Sequence, residues 1–313
     1  MNQSFTLRNI KLLNRIGVAS GTFGYGDEVP DLVDVNKLGA IFTKSLSLKP
    51  RDGNPTPRIT ETASGMLNSI GLANIGVQNF INEKIPILQK YSCIIIANIA
   101  ASSVQEYCDV VELLEPHTTV SGYEINISCP NVKEGGLNFG TNVQSVAHIT
   151  KELRKRTNKP LIIKLTPNVT HISEFARAVE AEGADAVSVI NTLIGMSVNI
   201  HTQRPKLSTV TGGLSGPAIK PIALAKVYEV YKAVSIPIFG IGGISTWEDA
   251  IEFFLVGATA VQVGTTNFIN PATGIHIAEE IQNYCEKKSL QNIGELVGKL
   301  DVKGGVSVIE SWL

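Results

Sequence analysis

Eight short runs of apolar and β-branched residues recur along the chain, at 16–21, 40–46, 93–99, 122–128, 161–166, 186–191, 236–240 and 260–264. Each is nearly continuous in apolar character rather than alternating. That is the pattern of strands covered on both faces, as in a parallel sheet packed against helices. Between the runs lie amphipathic stretches of helical period at 145–157, 173–182, 218–234 and 246–256. Two helical stretches close on glycine, at Gly183 and Gly257, and a small residue then leads into the next strand. Alternating strands and helices predict an α/β fold. Eight units favour a closed (β/α)8 TIM barrel, with an open doubly wound sheet as the alternative. Two connections are long, one from residue 48 to about 80 and one from 193 to about 217, and a third candidate, 130–142, is rich in Gly and Asn. Long loops in a compact fold are expected to be lids or binding segments.

Composition narrows the class. The 313 residues are 43% hydrophobic and 18% charged, enough for a large core. No low-complexity linker interrupts them, so one domain over 1–313 is expected. A formal net charge of −1 gives no basis for a nucleic-acid or acidic-membrane partner. The first residues carry Arg8, Asn9 and Lys11 among apolar ones and do not read as a secretory signal. No apolar run approaches the roughly 20 residues that span a bilayer. A soluble, cytoplasmic protein is therefore expected. The four cysteines, Cys93, Cys108, Cys129 and Cys285, form no C-x-x-C pair, which argues against a zinc or iron–sulfur site in this chain. They read as free thiols of a reducing compartment.

The chemistry is expected where the strands end, because barrels of this kind carry their active sites at the C-terminal face. The runs end or nearly end in Ser20-Gly21, Lys44-Ser45, Asn98, Asn126 with Ser128-Cys129, Lys164 with Thr166, Asn191-Thr192, Gly240 to Gly243, and Gly264-Thr265. Polar side chains there are costly unless paired or used. A single Ser or Thr can be a strand-end cap, but two lysines within apolar strands are harder to dismiss. Glycines after the seventh and eighth strands suit a phosphate-bearing ligand, since backbone N–H groups there can approach an anion. Helix capping by Ser245-Thr246 and Glu248 accounts for part of that pattern.

At this point the chain resembles the dihydroorotate dehydrogenases over nearly its whole length. The carrying segments are Thr43-Lys44-Ser45, Asn68-Ser69-Ile70-Gly71-Leu72, Asn126-Ile127-Ser128-Cys129-Pro130-Asn131, Ile163-Lys164-Leu165-Thr166-Pro167, Asn191-Thr192, Leu214-Ser215-Gly216-Pro217 and Gly240 to Gly243. Cys129 resembles the base of the soluble class, where a membrane-linked, quinone-using class carries serine. The stretch 132–141 and the segment 49–60 look like the NAD-linked type, which pairs with an electron-transfer subunit carrying FAD and a [2Fe–2S] cluster. The fumarate-reducing type is the alternative. The resemblance implies oxidation of dihydroorotate to orotate in pyrimidine (UMP) biosynthesis, with FMN as hydride acceptor. It also implies a homodimer within a heterotetramer.

The roles implied are these. Cys129 is the base, and Lys164 sets a positive charge beside the flavin. Lys44, Asn68, Asn126, Asn191 and Thr192, with the backbone of Ser69, Ile70, Gly71 and Leu72, bind substrate. Lys44 and Asn126 also contact the cofactor, with Ser20, Ser45, Asn98, Ile190 and Gly216 lining it. Gly242, Gly243, Gly264 and Thr265 hold its phosphate. No metal is expected. A departure stands at Ala101, where a glycine is expected near the flavin. From the residues alone, Lys164 as a Schiff-base lysine keeps a phosphate-binding lyase or aldolase open.

Overall fold

The computed structural model describes residues 3–29, 32–127 and 140–303, with the backbone of 133–134 and 137–139. Its centre is a closed barrel of eight parallel strands: β1 (Ile16–Val18), β2 (Ala40–Phe42), β3 (Ile94–Ile99), β4 (Val120–Asn126), β5 (Leu161–Leu165), β6 (Ala186–Val189), β7 (Ile238–Ile241) and β8 (Ala260–Val263). Each strand pairs with its neighbour in sequence, and β8 closes on β1. All eight predicted runs are therefore strands, and the barrel replaces the open-sheet alternative. Six helices surround it: α1 (Val104–Leu114), α2 (Val143–Arg154), α3 (Ile172–Ala181), α4 (Lys220–Tyr231), α5 (Trp247–Leu255) and α6 (Thr273–Lys287). Between β2 and β3 the chain is helical through Val77–Asn79, the π-helical Phe80–Lys84 and Ile85–Leu88.

Local chemistry explains several boundaries. Ser103 accepts from the Glu106 N–H to start α1, and Asn142 accepts from the Ser145 N–H to start α2. Thr246 and Asp249 form a reciprocal capping box at α5; the helix start falls where the sequence suggests, but the capping acid is Asp249 rather than Glu248.

Side chains alternate between the two faces of each barrel strand. One set packs outward against the helices in the main core. Another closes the amino-terminal end of the barrel: Ala40, Phe42, Ile96, Ile162, Ala186, Phe239 and Ala260 cluster with Leu7 and Leu12. The last two belong to an antiparallel hairpin, Phe5–Leu7 with Ile10–Leu12, which plugs that end. Its Phe5 ring meets Phe239 edge-on at 6.3 Å, and Phe239 meets Phe42 at 5.5 Å. Two residues further along the strands the interior becomes polar.

The two long connections are not irregular. Leu193–Met196, Thr211–Ser215, Gly65–Asn68 and Ile59–Thr62 form one antiparallel sheet in that order, with Gly213 opposite Asn68. The close pairing needs glycine at 213, because a Cβ there would lie 2.2 Å from Thr192 Oγ1. Two loops from different thirds of the chain thus brace each other at the carboxyl end of the barrel.

Candidate active site

Two series of contacts run through the polar end of the barrel, one ending at Asn126 and the other reaching Lys164 through Glu124. The first begins on the antiparallel sheet. Asn68 donates its amide to the Gly213 carbonyl at 3.3 Å, and Gly213 abuts Thr192. The Thr192 N–H donates to Asn191 Oδ1 at 2.8 Å, and Asn191 Nδ2 donates to Asn126 Oδ1 at 3.2 Å. Asn126 at the end of β4 stands in register with Lys164 on β5. The second series begins after β2. Ser45 Oγ donates to Asn98 Oδ1 at 2.6 Å, and Asn98 Nδ2 donates to Glu124 Oε2, also at 2.6 Å. Glu124 Oε2 lies 3.6 Å from Lys164 Nζ.

Glu124 escaped the sequence reading. It is fully buried, and its other oxygen accepts from Ser188 Oγ at 2.6 Å and Gln262 Nε2 at 2.8 Å. A signal existed: Glu124 is two residues before Asn126, so the two share a strand face, and it is an acid inside an apolar run. Asn98, expected to line a cofactor, presents no surface. It acts through Ser45 and Glu124 instead. Ile190 is buried in the main core, which leaves its backbone as the part able to face a ligand. Ala101 is likewise packed into that core.

Lys44 is half-buried where the chain leaves β2, its N–H donating to the Gly24 carbonyl at 2.8 Å. Burial lowers its ammonium below the usual lysine range; Glu28 opposes this and Arg58 adds to it. Residues 68–72 turn back through Gly71 (φ 72°) and Leu72 (φ 57°). Asn54 holds this turn by donating to Ser69 Oγ at 2.9 Å, and Thr209 donates to the same oxygen at 2.5 Å. Asn74, another residue the sequence did not single out, fixes the far side of the turn by donating to the Leu72 carbonyl at 2.7 Å.

The glycine loops after β7 and β8 and the segment at Gly216 come together. Thr265 Oγ1 donates to Ser215 Oγ at 2.8 Å, and Ser245 and Thr266 share a hydrogen bond of 2.8 Å between hydroxyls. Gly242 and Gly243 have φ of 132° and 73°, and a Cβ on Gly243 would lie 2.9 Å from the Gly216 carbonyl oxygen. Beside this tight knot there is room. A Cβ on Gly21 would meet nothing within 4 Å, and one on Gly264 only Ala19 at 3.7 Å. Ser20, half-buried, borders that opening. Cys129 lies outside the described residues. Among the described residues no group of three or more His, Cys, Asp or Glu is placed to hold a metal ion. Nor is any helix among them long and apolar enough to cross a membrane.

Comparison with known proteins adds the family. Residues 3–285 match the family model described as dihydroorotate dehydrogenase. A protein of Geotalea uraniireducens named "Dihydroorotate dehydrogenase B (NAD(+)), catalytic subunit" is 50% identical over 95% of this chain and 97% of its own length. One of the same name from Alkaliphilus oremlandii is 52% identical over 96% of this chain and 99% of its own. In fold, the chain is similar to the crystal structure of DHODH in complex with ferulenol from Eimeria tenella. The TM-score is 0.81 and the identity 21%, over 95% of this chain and 88% of that one.

Proposed function

This chain belongs to the dihydroorotate dehydrogenase family, and we propose that it oxidises dihydroorotate to orotate in pyrimidine (UMP) biosynthesis. In this reading the electrons pass to NAD+ through a separate electron-transfer subunit. The observation that carries it is the linked series of strand-end Asn and Ser side chains, one of which reaches Lys164 through Glu124, at the same end of the barrel as the glycine cradle. A lyase using Lys164 as a Schiff base has no such family behind it.

The family generally binds FMN, and the residues here fit one. Gly216, Gly242 and Gly243 form a backbone surface with no side chain, closed by Thr265, while Gly21 and Gly264 border open space. Backbone N–H groups in such a cradle suit a phosphate. Gly242, Gly243, Gly264 and Thr265 hold the phosphate; Ser20, Lys44, Ser45, Asn126, Lys164, Gly216 and the Ile190 backbone line the rest. Bound there, FMN supplies the acceptor for the hydride leaving C6 of the substrate.

The chain's own residues do the remainder. Cys129 takes the C5 proton, a role a thiol fills when its pKa approaches the operating pH. Lys44 meets the substrate carboxylate. Asn68, Asn126, Asn191 and Thr192 offer donors and acceptors to the cyclic imide, and the backbone of Ser69, Ile70, Gly71 and Leu72 completes the pocket. Lys164 sets a fixed positive charge where negative charge develops on reduction.

The partner subunit carries FAD and a [2Fe–2S] cluster, and two copies of this chain pair within a cytoplasmic heterotetramer. Chain pairing is supported by a run of exposed apolar residues on the outer antiparallel sheet and its extension: Ile194 (70% exposed), Met196 (53%) and Ile200 (78%).

Purified protein with its partner is expected to reduce NAD+ on dihydroorotate, and this chain alone to reduce it poorly. Efficient NAD+ reduction by the lone chain removes the partner, and fumarate turnover without it assigns the other type. Cys129→Ser is expected to keep FMN and orotate binding while lowering the oxidation rate sharply at neutral pH. A near-native rate there removes Cys129 from its role.

A further inference from the structure

We infer that Glu124 is a positioning residue: its buried carboxylate holds the Lys164 side chain by charge at the cofactor end of the barrel. The inference rests on the flavin role proposed above for Lys164.

The geometry is that of an anion built into the barrel floor. Three hydrogen-bond donors and one cation, from four strands, converge on one carboxylate: Asn98 of β3, Ser188 of β6 and Gln262 of β8 donate, and Lys164 of β5 stands at ion-pair distance. An ionised carboxylate only accepts, and here every neighbour offers a proton. Glu124 has no exposed surface and the Lys164 side chain is 8% exposed. Among the described residues Glu124 is the only acid within ion-pair distance of Lys164 Nζ. A buried ammonium without that partner would be strongly disfavoured. The separation matters as much as the charge. At 3.6 Å the pair attracts but makes no hydrogen bond; the closer donors are Asn98 on Oε2 and Ser188 and Gln262 on Oε1. The ammonium therefore keeps its protons for a third group above it. Glu124 holds Lys164 by charge and leaves its donors unspent.

Glu124→Gln separates charge from packing. The new amide can face Ser188, whose hydroxyl can turn to accept, and Gln262, whose Oε1 has no partner and becomes available if that amide flips. The barrel is therefore expected to fold. The flavin-loaded variants Glu124→Gln, Glu124→Asp, Lys164→Gln and the double variant are compared in two readouts. One is the midpoint potential of the bound flavin; the other is its affinity for sulfite, a spectroscopic probe of positive charge beside the ring. Lys164→Gln is expected to lower both. Glu124→Gln is expected to lower both as well, weakening sulfite binding by about tenfold or more, the factor that goes with one hydrogen bond to a charged group. The double variant should match Lys164→Gln alone, and Glu124→Asp should recover part of the loss. An unchanged or raised potential in Glu124→Gln, or effects that add in full, overturns the inference and leaves the role of Lys164 standing. No change in Lys164→Gln overturns both. Should Glu124→Gln fail to fold, Ser188→Ala weakens the hold on the carboxylate without removing its charge. It is expected to give a smaller shift of the same sign, and no shift overturns the inference.

Discussion

Asn74→Ala should weaken the substrate side of the pocket and the fold together while sparing the cofactor side. Asn74 is 8% exposed and lies beyond the residues that the sequence singles out. Its Oδ1 accepts from the Ser47 N–H at 3.2 Å and the Gly76 N–H at 2.8 Å. Its Nδ2 donates to Ser47 Oγ and to the Leu72 carbonyl, both at 2.7 Å. Alanine removes all four bonds. Ser47 Oγ retains its own bond to the Lys49 carbonyl at 2.9 Å, so that loss is cheap. The other three leave two buried backbone N–H groups and one carbonyl without a protein partner. At about 1 kcal/mol each, destabilisation of roughly 2–3 kcal/mol follows, the lower figure if water reaches Leu72. Urea unfolding of the native protein and the variant, fitted with a common slope, measures it. The same change frees the turn at 68–72, so the orotate dissociation constant should rise while retained flavin stays unchanged. A loss below about 1 kcal/mol with native orotate affinity would refute the reasoning that Asn74 holds this turn.

Three further outcomes follow from the same geometry. Gly243→Ala places a methyl at φ 73° and 2.9 Å from the Gly216 carbonyl oxygen, so it should cost about 2 kcal/mol or more in unfolding and release flavin on dialysis; a flavin-replete, equally stable variant would discount the cradle. Burial pushes the Cys93 thiol up to about 12 and raises Cys108 and Cys285, so the folded chain keeps protons that the unfolded chain, with thiols near 9.0, gives up. That stability is complete below the unfolded value and lost between about pH 9 and pH 12; a urea midpoint unchanged from pH 8 to 10.5 would contradict it. Ile194→Lys on the exposed sheet face should convert paired chains to single ones in light scattering without altering flavin content, and an unchanged mass would exclude that face as the contact.

What the sequence revealed depended on where each residue's partners lie. The barrel strands were legible because burial on both faces leaves a continuous apolar run that needs no partner to be recognised. The antiparallel sheet was not. Thr211–Ser215 carries two glycines and Ile59–Thr62 faces partly to solvent, so neither reads as a strand alone. Each becomes one by pairing through Gly65–Asn68, well over a hundred residues from Thr211. Asn74 was hidden for a related reason: three of its four bonds reach backbone groups, which carry no sequence signature. Glu124 is the instructive case. Lysines inside apolar strands were read as functional because an unpaired cation there is costly. The same cost argument requires a buried anion nearby, and period-two alternation from Asn126 leads directly to Glu124. Ser188 and Gln262 then fall on the same inward layer, two residues past the hydrophobic plug at Ala186 and Ala260. The polar layer is thus a property of register across strands. No single segment contains it, yet it decides what charge the barrel presents to whatever binds at its mouth.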